Sequence, residues 1–211
     1  LIYECLDIHT VMTAETINGR VFRWLDPRLL ALCEAVIGSS PKFFCAYFEP
    51  VQGWAGRSAL LENKLRFDGT ALARPAPPTA RDEGSLRFGW VGTLRCPKSL
   101  EILAGTARQL GKRMELHCHG VVHAHAVPGF HDLVATHDNI FFHGPYDYPD
   151  GLAEIYASCD MVWSQDLWQW GKNSTWLLPN RIYEASYFGC PSIAVAGTET
   201  GVRVQDGLGW V

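Results

Sequence analysis

The stretch Asn173–Gly201, NSTWLLPNRIYEASYFGCPSIAVAGTETG, decides how the rest of the chain is read. It joins a loop, a carboxylate-bearing helix, a short apolar strand and a second loop ended by glycine. Pro179 stands at a helix entry and Gly189 at its exit, which predicts a helix from Asn180 to about Phe188 with Glu184 in its middle. The Gly189-Cys190-Pro191 break separates that helix from the apolar run Ser192–Ala196. A helix that feeds a short buried strand through a glycine turn is a unit of parallel-sheet architecture.

The same alternation runs upstream. Leu86–Val91 is a dense strand, Ser99–Leu110 an amphipathic helix, and Met114–Cys118 and Asn139–Phe142 are further strands. Leu152–Ser158 reads as helix and Asp160–Trp163 as strand. This order, with a glycine turn after the first strand, predicts a doubly wound α/β sheet whose ligand lies at the carboxyl ends of its strands. Earlier in the chain, Leu1–Ile8 reads as a buried strand and Asp26-Pro27 as the cap and first residue of a helix. Ala35–Gly38 follows as a short apolar run, Pro41–Phe48 as a helix and Ser58–Glu62 as a strand, the makings of a second parallel unit. Between the two, Phe67–Gly84 is rich in proline and alanine and poor in large apolar residues, the composition of a linker. The expected organisation is therefore a partial Rossmann-like unit at 1–66, a linker at 67–85 and a nucleotide-binding unit at 86–211.

Composition narrows the function classes. The chain has 211 residues, is 47% hydrophobic and carries a formal net charge of -4, with no basic stripe, so nothing draws it toward nucleic acid. Its seven cysteines are odd in number and widely spread, with no CxxC pair, and read as reduced thiols of a cytoplasmic protein. No apolar run is long enough to span a bilayer, and in a cytoplasmic chain the Asn173-Ser174-Thr175 sequon is accidental.

A second group of residues carries chemistry. Gly92-Thr93-Leu94-Arg95-Cys96-Pro97-Lys98 follows the strand FGWV directly. Glycine lets backbone approach a ligand closely, and cations at positions 95 and 98 can neutralise the two phosphates of a nucleoside diphosphate. The histidines suggest metal, since His117 and His119 share one face of a strand, but no third ligand follows them at a short helical spacing. They are expected as exposed or strand-end histidines, and no metal ligand is assigned. Most of the eight tryptophans are expected in core packing and loop anchoring.

Glu184, Ala185, Gly189, Pro191 and the run Ile193–Val195 resemble the donor half of retaining glycosyltransferases with two Rossmann-like domains, the GT-B fold, of glycosyltransferase family 4. WLLPNRIYE followed by GTETG looks more like the bacterial exopolysaccharide branch, of the succinoglycan type, than like glycogen or sucrose synthases. The resemblance implies a cytoplasmic transferase, peripheral at the inner face of the plasma membrane. It would move a sugar from a nucleoside-diphosphate donor to a polysaccharide or lipid-linked precursor, with no separate cofactor. It implies that Glu184 accepts hydrogen bonds from the ribose hydroxyls. Gly92, Thr93, Arg95, Lys98, Asn180, Arg181 and Glu199 join it in holding the nucleotide sugar. Asp7 and His9, at the end of the first strand, are the catalytic candidates. Trp176 stands where the family often has an earlier glutamate, and Thr93 where the arginine of its Gly-Arg-Leu triplet often lies.

Two other readings stay open on the sequence: a sugar-nucleotide epimerase of the same fold, and a nucleotide-binding module without catalysis, the latter motivated by Trp176. The chain starts at Leu1 inside an apparent strand and stops soon after Gly207, so the sequence reads as an excerpt of a longer protein, truncated at both ends.

Overall fold

The computed structural model describes residues 1–65 and 84–211, and all but the last two residues of the expected linker lie outside the described residues. Two parallel sheets organise the described residues. The first has the order β1-β2-β3, from β1 (Ile2–Cys5), β2 (Ala35–Gly38) and β3 (Arg57–Leu60). Helices α1 (Thr10–Thr13) and α2 (Ile17–Leu30) connect β1 to β2, while α3 (Pro41–Phe43) and a π-helical turn at Phe44–Phe48 lead toward β3. Its core gathers Cys5, Ile8, Leu30, Val36, Phe43, Tyr47 and Phe48.

The second sheet has six strands: β4 (Leu86–Leu94), β5 (Met114–Val122), β6 (Ile140–Gly144), β7 (Met161–Trp163), β8 (Ser192–Ile193) and β9 (Gly209–Trp210). Every pairing is parallel, in the order β6-β5-β4-β7-β8-β9. Numbered within the sheet this is 3-2-1-4-5-6, the doubly wound order whose direction reverses beside its first strand. Helices α4 (Pro97–Leu110) and α5 (Phe130–Thr136) cover one face, packing Leu103, Ala107 and Phe130 against Trp90, Leu116 and Cys118. Helices α6 (Leu152–Ser158) and α8 (Asn180–Tyr187) cover the other, where Tyr156 and Phe188 pack near Val91 and Val162. The short helices α7 (Asn173–Trp176) and α9 (Glu199–Gln205) complete the unit. The fold class is the expected one, α/β with a doubly wound, Rossmann-like sheet.

Three local readings need correction. Asp26-Pro27 does not start a helix: α2 begins ten residues earlier, where the Thr16 side chain accepts the Gly19 amide, and Pro27 lies inside it. Asp26 is instead buried, accepting from the Tyr47 hydroxyl at 3.4 Å, and burial raises its pKa. Leu1–Ile8 is less buried than its composition suggests, because β1 is an edge strand in which only Cys5 is buried. Finally, β4 does not stop at Val91 but runs through Gly92 to Leu94, paired with β5 as far as Val122. Gly92 adopts φ +104° and lies in register with Gly120 at φ +132°, so two residues without Cβ atoms let the strands continue side by side.

Cys5, Cys96, Cys118, Cys159 and Cys190 are buried, consistent with core thiols. Among the described residues no helix is long and apolar enough to cross a membrane.

Candidate functional site

The carboxyl ends of β1, β3, β4, β6 and β7 converge on one cleft of about 440 Å³, a size in the range of small-molecule sites. The loop after β1 contributes Asp7 and the segment after β3 contributes Asn63. β4 and its exit give Gly92, Thr93 and Arg95; the exits of β6 and β7 give Tyr146 and Asp166; and the first turns of α8 bring Asn180, Arg181 and Glu184. The cleft thus lies where the strand order of the six-stranded sheet reverses, between β4 and β7.

A buried polar network fixes these loops. Gln165 is buried and donates to the carbonyls of Asp166 and Ser174, both at 3.0 Å, while its side-chain oxygen accepts from the Val195 amide and the Thr198 hydroxyl. Such a satisfied amide rigidifies what it touches, here the segments after β7 and β8. Asp166 accepts from the Trp168 amide and the Ser174 hydroxyl, and pairs with Arg95 at 3.3 Å.

The two sheets meet through directed contacts. Buried Asn173 donates to the Asp7 carboxylate and accepts the Ile8 amide at 3.2 Å, which holds Asp7 at the rim of the cleft. Ser40 donates to the Trp176 carbonyl, and the Trp176 side chain packs on the core of the first sheet. Tyr183 and Arg203 both reach Glu62, the former at 2.9 Å.

Glu184 is 6% exposed, and its Oε2 accepts from the Tyr156 hydroxyl at 3.0 Å. Burial raises its pKa, opposed by the Tyr156 hydrogen bond, the nearby Arg181 charge and a hydrogen bond from Tyr148. A carboxylate offers about four lone-pair directions, so acceptor capacity remains toward the cleft. The raised pKa sets a stability expectation. The native state favours the neutral form, so the destabilisation grows as pH rises through the native pKa and is absent below the unfolded value. Glu184→Gln cannot ionise and should melt above the wild type at about neutral pH, with the gap closing toward about pH 4. A melting series across that range checks it; a gap independent of pH would exclude ionisation as the cause.

Of the residues singled out from sequence, the cleft brings together Asp7, Gly92, Thr93, Arg95, Asn180, Arg181 and Glu184. Lys98 is not with them. It occupies the first turn of α4, which starts at Pro97, and pairs on the surface with Glu101 at 2.9 Å. His9 is not with them either: its Nδ1 caps α1 by accepting the Val11 amide at 3.2 Å. Glu199, at the start of α9, does not line the cleft, and burial raises its pKa against the opposing charges of Lys42 and Arg203. Asn63, Tyr146 and Asp166 line the cleft without having been picked out; each lies two or three residues beyond the end of a strand. The histidine spacing also misleads, because a third imidazole joins His117 and His119 from the neighbouring strand: His143 of β6.

These features define a doubly wound α/β protein with a polar cleft at the switch point of its sheet. By sequence the chain is similar to the succinoglycan biosynthesis protein ExoL of Rhizobium meliloti (strain 1021), with 39% identity over 203 residues, 95% of this chain and 50% of that protein. The chain thus spans about half the length of this curated relative. By structure it is similar to the apo form of the lipopolysaccharide outer core galactosyltransferase WaaB, with a TM-score of 0.49 and 13% identity, over 90% of this chain and 55% of that one. No family model matches.

Proposed function

We propose that this chain forms the nucleotide-sugar site of a glycosyltransferase that builds a polysaccharide or its lipid-linked precursor. The observation that carries this reading is the convergence of Arg95, Arg181 and Glu184 on one cleft at the carboxyl ends of parallel strands. The identity to a protein named for succinoglycan biosynthesis agrees with it. In this reading Arg181 and Arg95 neutralise the diphosphate, and Glu184 accepts from the ribose hydroxyls. Asn180 and the backbone at Gly92 and Thr93 border the phosphates. The transferred sugar would lie toward Asp7, across the cleft from the nucleotide.

When the bond from sugar carbon to phosphate breaks, negative charge grows on the leaving diphosphate. Fixed cations aimed at it stabilise the transition state more than the ground state. A retaining course in a GT-B enzyme of family 4 fits this arrangement, since the departing phosphate can itself take the acceptor proton. Work at the cytoplasmic face of the membrane, with a hexosyl donor, completes the proposal.

Calorimetric titration with nucleoside diphosphates and nucleotide sugars tests the binding half. Wild type should take one equivalent, and Glu184→Gln should lose affinity for a ribonucleotide while a deoxyribose ligand is affected less. Matched losses for the two sugars would remove Glu184 from the ribose. Release of free nucleoside diphosphate together with an extended acceptor tests the transfer half; an isomerised donor without acceptor extension would mean an epimerase.

A further inference from the structure

We propose that His117, His119 and His143 form a binding site for a divalent transition-metal ion of the zinc class, on the six-stranded sheet and apart from the cleft. Alternation along β5 sends Met114, Leu116 and Cys118 into the core beneath α4 and α5, and Glu115, His117 and His119 to the opposite side. On β6, Phe142 joins that core while Phe141 stacks on His117, centroids 5.0 Å apart. The register then slips: Cys118 pairs with Phe142 but His119 pairs with Gly144, so His143 is an extra residue with no partner on β5. A bulge re-aims a side chain. Here it brings the His143 ring to 4.3 Å from that of His119 and 5.2 Å from that of His117.

The hydrogen bonds suit ligation. His117 Nε2 lies 3.1 Å from a Glu115 carboxylate oxygen, and an ionised carboxylate only accepts, so Nε2 carries the proton. In the neutral ring Nδ1 is then a lone pair, and it faces His143 Nε2 at 2.9 Å. A carboxylate that fixes the tautomer of a histidine in this way is the usual outer support of a metal-bound imidazole. The second independent sign is His119, whose Nε2 is buried without a hydrogen-bond partner, a costly state that a ligand would relieve. One ring nitrogen from each of the three lies within 4.8 Å of the others.

Zinc bonds to histidine of about 2.0–2.1 Å at tetrahedral angles require nitrogens about 3.4 Å apart. The His117–His143 contact must therefore open by about half an ångström, and the proton on His143 Nε2 must move to its Nδ1 so that the ring binds metal in its neutral form. His143 is exposed and can make that adjustment. Three imidazoles leave a fourth position for water or an outside ligand. The ion would tie the edge strand β6 to β5.

The test uses the chelator-treated chain titrated with zinc, and with cobalt as a spectroscopic substitute. One equivalent should bind, raise the melting temperature and give cobalt absorption of tetrahedral type. His143→Gln, at an exposed position, should weaken zinc at least tenfold, and Glu115→Gln about 10- to 100-fold. His125→Gln, in the loop after β5, should change nothing. Absence of one-equivalent binding, or an affinity unaltered by His143→Gln, would overturn the site.

Discussion

Arg181→Ala should weaken nucleoside-diphosphate binding by about 10- to 100-fold, while Lys98→Ala should leave it unchanged. The magnitude follows from hydrogen bonds to charged groups, worth about 1.5–3 kcal/mol each, against about 1.4 kcal/mol per tenfold in affinity. The choice of residue follows from position. Arg181 projects from the first turn of α8, and a Cβ built on Gly92 would lie 3.5 Å from its Nη2. Its charge is near enough to lower the pKa values of Glu184, Tyr146 and Tyr156 against their burial. Arg95 already pairs with Asp166, so part of what it offers a phosphate is offset by the pair it loosens. Arg95→Ala should therefore cost less than Arg181→Ala. Calorimetric titration of the three variants with one nucleoside diphosphate decides the matter: equal losses for Lys98→Ala and Arg181→Ala, or none for the latter, would show that the diphosphate lies elsewhere.

The displacement of Lys98 illustrates what the sequence could carry. Elements whose stabilisation is local were legible. β2 matches the apolar run Ala35–Gly38, α6 matches Leu152–Ser158, and α8 lies within a residue of its expected end, with Pro179 before it and the Gly189 turn after it. The alternation of these elements was enough to imply a doubly wound sheet with its cleft at the strand ends. What stayed hidden depends on partners far away in sequence. A strand ending at Val91, before Gly92, is a sound inference from one glycine, because nothing nearby reveals that Gly120 will lie opposite. β4 in fact runs on to Leu94, and Lys98 lies in the first turn of α4, on its exposed surface beside Glu101.

The same reasoning covers the rest of the site. Asp26-Pro27 has the composition of a helix start, but Asp26 is taken by Tyr47, 21 residues away, and the Thr16 cap wins. Asn173 reads as a loop residue or a sequon, yet its side chain reaches back 166 residues to Asp7. Trp176 reads as a lost glutamate, whereas its side chain joins the core of the first sheet. His143 could not be assigned to His117 by spacing, since a β-bulge brings them together. In each case the residue type was informative and the partner was not.

Gly120→Ala should be among the most damaging substitutions in the chain, and its effect should reach the cleft. A Cβ at position 120 would lie 1.8 Å from the carbonyl oxygen of Gly92 and 2.7 Å from its carbonyl carbon. Both are backbone atoms of the neighbouring strand, so relief requires β4 and β5 to part. The φ of +132° adds strain for any residue with a side chain. Backbone strain of about 1–3 kcal/mol and overpacking of a similar size combine to about 2–6 kcal/mol. For a chain of this length that lowers the melting temperature by on the order of 10 °C. Gly105→Ala is the matched control: it lies inside α4, an added Cβ meets nothing within 4 Å, and the change should stabilise by about 0.5–1 kcal/mol. Position 120 is far along the chain from the nucleotide residues, but the strand it would push carries Gly92, beside which the Arg181 guanidinium lies. Any folded Gly120→Ala protein should therefore also bind nucleoside diphosphate more weakly, whereas Gly105→Ala should not. Melting curves and titrations on the pair separate the outcomes: equal stability would refute the close approach of the two strands, and a destabilised variant with unchanged affinity would detach Gly92 from the ligand.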